Sequence, residues 1–142
     1  MNLSQNFTLA EFTRSETAAR RGLDNTPDAE TIENLKMVAA GLEEVRALLG
    51  KPIQITSGYR SLKVNSAVGS KPTSAHVKGF AADFVSPEYG SVSDVCRAIL
   101  NSTIEYDQLI HEFDSWVHIS FEPLARMQAL TIDQSGARMG IA

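Results

Sequence analysis

The 142-residue chain has three histidines, and two of them stand where they could serve a metal. His76 is followed seven residues later by Asp83, with mostly small residues around the interval, and His118 sits in the apolar stretch Trp116-Val117-His118-Ile119. Two imidazoles and one carboxylate make a three-ligand set that suits one Zn²⁺ and leaves a fourth position for water, as hydrolytic sites require. Spacing alone leaves a second reading open. A His and an Asp this far apart arise by chance, and a lone strand histidine is often a hydrogen-bonded core residue.

Other chemistries find less support. Cys96 is the single cysteine, so no intramolecular disulfide can form, and its place beside Val95 and Ile99 fits a small buried residue better than a nucleophile. No glycine-rich phosphate loop occurs. Thirteen Lys and Arg against seventeen Asp and Glu give a net charge of −4, which argues against gripping nucleic acid or an anionic membrane. No apolar run approaches the ~20 residues of a membrane span, and the start Met1-Asn2-Leu3-Ser4 lacks a secretory pattern, so the expectation is synthesis and retention in a cytoplasm without membrane insertion.

The elements that must position these residues follow from periodicity. Thr8-Leu9-Ala10-Glu11 predicts a short helix opened by a capping box. Thr26 as cap and Pro27 at the first helical position predict a long helix in which Ile32, Leu35, Val38, Ala39, Leu42, Val45 and Leu49 form one face, stopped by Gly50. Alternation at Ile53 and Ile55 predicts a strand delivering Ser57-Gly58-Tyr59-Arg60, and residues 61–75 read as a surface loop. Further predicted elements are a strand over 80–85, a helix over 93–100, strands over 108–111 and 116–121 joined by a tight turn, and a closing strand over 129–132. With an ordinary 43% hydrophobic residues, the pattern predicts one α+β domain over residues 1–142, helices first and a mostly antiparallel sheet after.

The string Ser74-x-His76-x-x-Gly79-x-Ala81-x-Asp83, preceded by Ser57-Gly58-Tyr59-Arg60-Ser61 and followed by Trp116-Val117-His118, resembles the M15 zinc peptidases, most of all their small phage endolysin members. The resemblance runs from Phe7-Thr8-Leu9-x-Glu11-Phe12 to Leu130-Thr131-Ile132-Asp133. It implies a hedgehog/DD-peptidase-like fold and one Zn²⁺ held by His76, Asp83 and His118. It also implies that Arg60 stabilises the scissile carbonyl oxygen or grips a substrate carboxylate, tasks that suit a permanently charged planar fork.

The general base is less direct. The carboxypeptidase pattern of the family puts an acid three positions before the last histidine, where Ser115 stands here. Glu112 and Asp114 are the candidates. A tight hairpin would bring Glu112 across from His118 or one residue away, so Glu112 is preferred and Asp114 is the alternative, otherwise a turn residue. Ser74 could bond a ligand ring nitrogen or nearby backbone, Gly79 would let the chain turn close to the metal, and Tyr59 and Trp116 could line a substrate groove or pack in the core.

The function expected from the resemblance is hydrolysis of a peptide bond in bacterial peptidoglycan by an endolysin that waits in the host cytoplasm until a holin opens the way to the periplasm. A D-Ala-D-Ala carboxypeptidase or dipeptidase, and a non-catalytic virion or wall-binding module with a vestigial zinc site, are the rivals.

Overall fold

Thr8 forms its capping box with Glu11 and opens α1 (Leu9–Thr13). The next helix, α2 (Glu16–Arg21), was not predicted; Ser15 caps it through the Ala18 N–H and Gly22 closes it at φ 63°. The long helix α3 (Ala29–Leu49) is capped two residues later than predicted, because the Asp28 carboxylate takes the Thr31 N–H at 2.8 Å. An anionic acceptor at the positive end of the helix dipole outcompetes a threonine hydroxyl there, and Pro27 falls outside the helix.

After β1 (Gln54–Ser57) the predicted loop contains α4 (Leu62–Ala67), capped by Ser61, and leads to the single turn α5 (Ala75–Lys78), which carries His76. Then follow β2 (Ala81–Val85), α6 (Val92–Leu100), β3 (Gln108–Glu112), β4 (Trp116–Ser120), β5 (Gln128–Asp133) and β6 (Gly136–Met139). The computed structural model describes residues 1–141.

The six strands form one sheet in the order β1-β2-β4-β3-β5-β6. Every neighbouring pair is antiparallel except β3 and β5, so the closing strand returns alongside β3 in the same direction and then turns into β6. The fold is thus α+β with a mostly antiparallel sheet, as predicted. α3 and α6 cover one face, where Leu35, Val38, Leu42, Val95 and Ile99 meet Ala82, Phe84, Leu109, Val117 and Ile119. Cys96 lies in this core, and burial pushes its thiol up to about 12, which keeps it protonated and inert.

Strand residues alternate between faces, so the residues between these core positions point the other way. Asp83 pairs with His118, and Glu112 pairs with Trp116, on that second face.

Candidate metal centre

Asp83 and His118 are brought together by register: they are direct cross-strand partners in the antiparallel pair β2–β4. Their side chains meet on the face away from the helical core, with His118 Nδ1 2.9 Å from Asp83 Oδ1. His76 arrives from α5, which packs on β2. Ser74 caps that turn by accepting the His76 backbone N–H, and Gly79 ends it at φ 77°. A Cβ at Gly79 would strike Thr31, so this glycine lets α5 lie against α3 and not against the metal position.

The His76 ring then lies edge-on to His118, with centroids 5.1 Å apart, and places Nε2 3.2 Å from Asp83 Oδ1. Its other nitrogen, Nδ1, donates to the Gly58 carbonyl oxygen at 2.6 Å. With the proton held at Nδ1, the Nε2 lone pair faces a carboxylate oxygen, and both are acceptors. Such a pair is stable only with a cation, or a second proton on the ring, between them. All three side chains are buried, and their inner ligand atoms lie within 4.8 Å of one another. Burial would raise the Asp83 carboxyl, but a second proton on His76, wherever it is present, and the hydrogen bond from His118 outweigh burial and hold it well below the usual carboxylate range. Burial likewise lowers His76, favouring the neutral form that ligates metals. Two borderline nitrogen donors, one anionic oxygen and a fixed outer hydrogen bond fit zinc.

The cluster lies in a cleft of about 1140 Å³. Glu112 enters it from β3. Its cross-strand partner is Trp116, and His118 pairs with Ile110, so Glu112 stands two residues along from the position opposite His118 and not at or next to it. A two-residue offset keeps Glu112 on the same face, and Oε1 reaches 3.9 Å from His118 Nδ1 on the diagonal. Burial and the negative charge of Asp83 raise the Glu112 carboxyl, against opposing effects of His118, the Trp116 N–H and Arg60.

Arg60 reaches the cleft from the segment after β1, fixed by its backbone N–H on the His76 carbonyl at 3.1 Å. Its Nε is buried without a hydrogen-bond partner. Burial lowers the guanidinium, while Asp83 and Glu112 draw it back.

Tyr59 and Trp116 both line the cleft. Tyr59 also packs against the core. Asp114 is not brought to the cluster. It sits on the exposed turn and accepts from His111 Nε2 at 3.0 Å, on the other face of the sheet. Asp107 and Gln108 take no part in the cluster: Asp107 holds Arg126, and Gln108 holds Gln128.

Three residues to which the sequence assigned no role of their own also shape the site. The Asn25 amide N–H group donates to the carbonyls of Thr13 and Tyr59, and its oxygen accepts the Ser61 N–H, clasping the end of α1 to the Arg60 segment. Gly58 presses on the Phe12 backbone so closely that a Cβ could not fit. Phe113, at φ 52°, tilts against Trp116 at the cleft rim, with centroids 5.8 Å apart.

A buried His/Asp/His cluster at the floor of a cleft, with a carboxylate and a guanidinium beside it, defines a metallopeptidase type of site. The family model of peptidase M15 matches residues 5–120, and the chain belongs to this family. Peptidases of the family are usually zinc-dependent and act on peptidoglycan. A comparison with curated proteins finds no match.

Proposed function

We propose that the chain is a zinc-dependent endopeptidase of bacterial peptidoglycan, of the phage endolysin type, with its catalytic machinery in one domain. The observation that carries this reading is the placement of Glu112. It shares a sheet face and a cleft with His76, Asp83 and His118, and comes within 3.9 Å of His118 although Ser115 occupies the usual acidic position.

His76, Asp83 and His118 would hold the zinc. When bound, zinc supplies Lewis acidity toward a carbonyl and toward water. Glu112 accepts the proton of the attacking water on its carboxylate and returns it to the leaving amine nitrogen, a task helped by its raised pKa. Arg60 offsets the charge that grows on the carbonyl oxygen, since it lines the cleft beside Glu112 and takes part in no ion pair among the described residues. Gly58 holds the His76 ring, and Trp116 walls the cleft beside Glu112.

The cleft extends from α2 to the Phe113 rim, which supports an extended chain over a closed pocket for a terminal dipeptide. No helix among the described residues is long and apolar enough to cross a membrane. In the endolysin setting the protein gathers in the host cytoplasm and reaches periplasmic peptidoglycan through a holin-opened membrane.

Digestion of purified sacculi with mass spectrometry of the released fragments tests the reading. Fragments ending at an internal stem or cross-bridge bond are expected. Release of terminal D-alanine alone would assign a carboxypeptidase instead.

A further inference from the structure

The wall of the cleft facing the β-sheet rim is built by the segment from Arg14 through α2, and it has an unusual charge arrangement. Arg14 and Arg20 are exposed, both line the cleft, and neither takes part in an ion pair among the described residues. This occurs in a chain where acidic residues outnumber basic ones, seventeen to thirteen. Glu16, one turn from Arg20, also lines the cleft but pairs with neither arginine. The wall is held in place: the Asn25 clasp ties Thr13 to Tyr59 and Ser61, and the Tyr59 N–H donates to the Phe12 carbonyl at 2.7 Å. The backbone that carries Arg14 is thus tied to the Arg60 segment, and the fold uses neither the Arg14 nor the Arg20 guanidinium in an ion pair among the described residues.

We propose that Arg14 and Arg20 form a carboxylate-binding subsite that selects acidic peptides, gripping free side-chain or terminal carboxylates away from the scissile bond. The inference rests on the peptidase reading and adds a substrate preference to it. A guanidinium offers paired N–H donors matched to a carboxylate, and both arginines line the cleft from one short segment of chain. The subsite is a binding device, so it acts on substrate affinity and leaves the proton transfers at Glu112 untouched.

The test uses the zinc-loaded full chain and its Arg14→Gln/Arg20→Gln double variant. The probes are a soluble disaccharide-peptide with free carboxylates and the same compound with those carboxylates amidated. Both turnover and equilibrium binding are measured. An exposed ion pair is worth a few-fold in affinity, so the double variant should raise KM and Kd for the free acid about tenfold, with kcat within about twofold. The amidated compound should bind both proteins alike, and Glu16→Gln should tighten the free acid. Unchanged KM and Kd for the free acid, or equal losses on both compounds, overturns the subsite. A wild-type protein that prefers the free acid in binding yet hydrolyses neither compound upholds the subsite and strikes the peptidase reading.

Discussion

His76 Nδ1 lies 2.6 Å from the carbonyl oxygen of Gly58, and this bond sets which nitrogen faces Asp83. The Gly58 position depends on its lack of a side chain, because a Cβ would strike the Phe12 backbone. Gly58→Ala should therefore shift the carbonyl and loosen the ring. Losing such an outer partner typically weakens metal binding ~10- to 100-fold. Competition titration with a chromogenic chelator checks this, and unchanged zinc affinity in a folded variant would show that the bond does not orient the ligand.

Glu112→Gln keeps size but removes the proton acceptor. The variant should bind zinc normally and lose at least ~10²-fold in kcat. Asp114→Asn should stay near wild type, since Asp114 faces His111 outside the cleft. Parallel turnover and zinc measurements on both variants decide the assignment; a silent Glu112 variant with an inactive Asp114 variant would reverse it.

Arg60→Lys retains the charge without the planar fork. If Arg60 serves the carbonyl oxygen, kcat should fall ~10²–10³-fold with zinc content unchanged. A rise in KM alone would assign it to a substrate carboxylate instead.

Asp107 is buried and bonded to Arg126 through both carboxylate oxygens. The Arg126 hydrogen bond, opposed by burial, holds its pKa below the ordinary value. A depressed folded-state pKa gives stability that is present above the unfolded pKa, near ~3.9, and lost as pH falls through the folded value. Thermal unfolding between pH 6 and 2 should show this loss, and Asp107→Asn should lower Tm at pH 6 and flatten the acid limb. An unchanged acid limb would show that the pair does not couple to folding.

Much of the site was legible because its residues are unusual types in short ordered blocks, and register did the rest. Asp83 and His118, each the one ionisable residue of its strand, pair directly across β2 and β4. The face of α3 was legible from its apolar period: Leu35, Val38, Ala39, Leu42, Val45 and Leu49 are buried as expected, and Ile32, in the first turn, is half-buried. What the sequence hid has physical reasons. α2 buries only Ala18 and α4 only Val64 and Asn65, so neither carries an apolar period, and both are set by their serine caps. Every residue of β6 is exposed, leaving no alternation to read. The parallel pairing of β5 with β3 is a choice of partner that a strand's own pattern does not encode. Glu112 was expected across from His118 or one residue away; the three-residue turn over 113–115 places it opposite Trp116.

The central claim is peptide-bond hydrolysis at a zinc centre formed by His76, Asp83 and His118. Zinc content and peptidoglycan cleavage measured on the same samples test it most directly: wild type, wild type stripped by chelator and reloaded, and His118→Ala. The account predicts one zinc per chain in wild type and cleavage that disappears with the metal and returns on reloading. It predicts a folded His118→Ala protein with neither stoichiometric zinc nor activity. Full zinc content in that variant, or undiminished cleavage by the stripped protein, would contradict it.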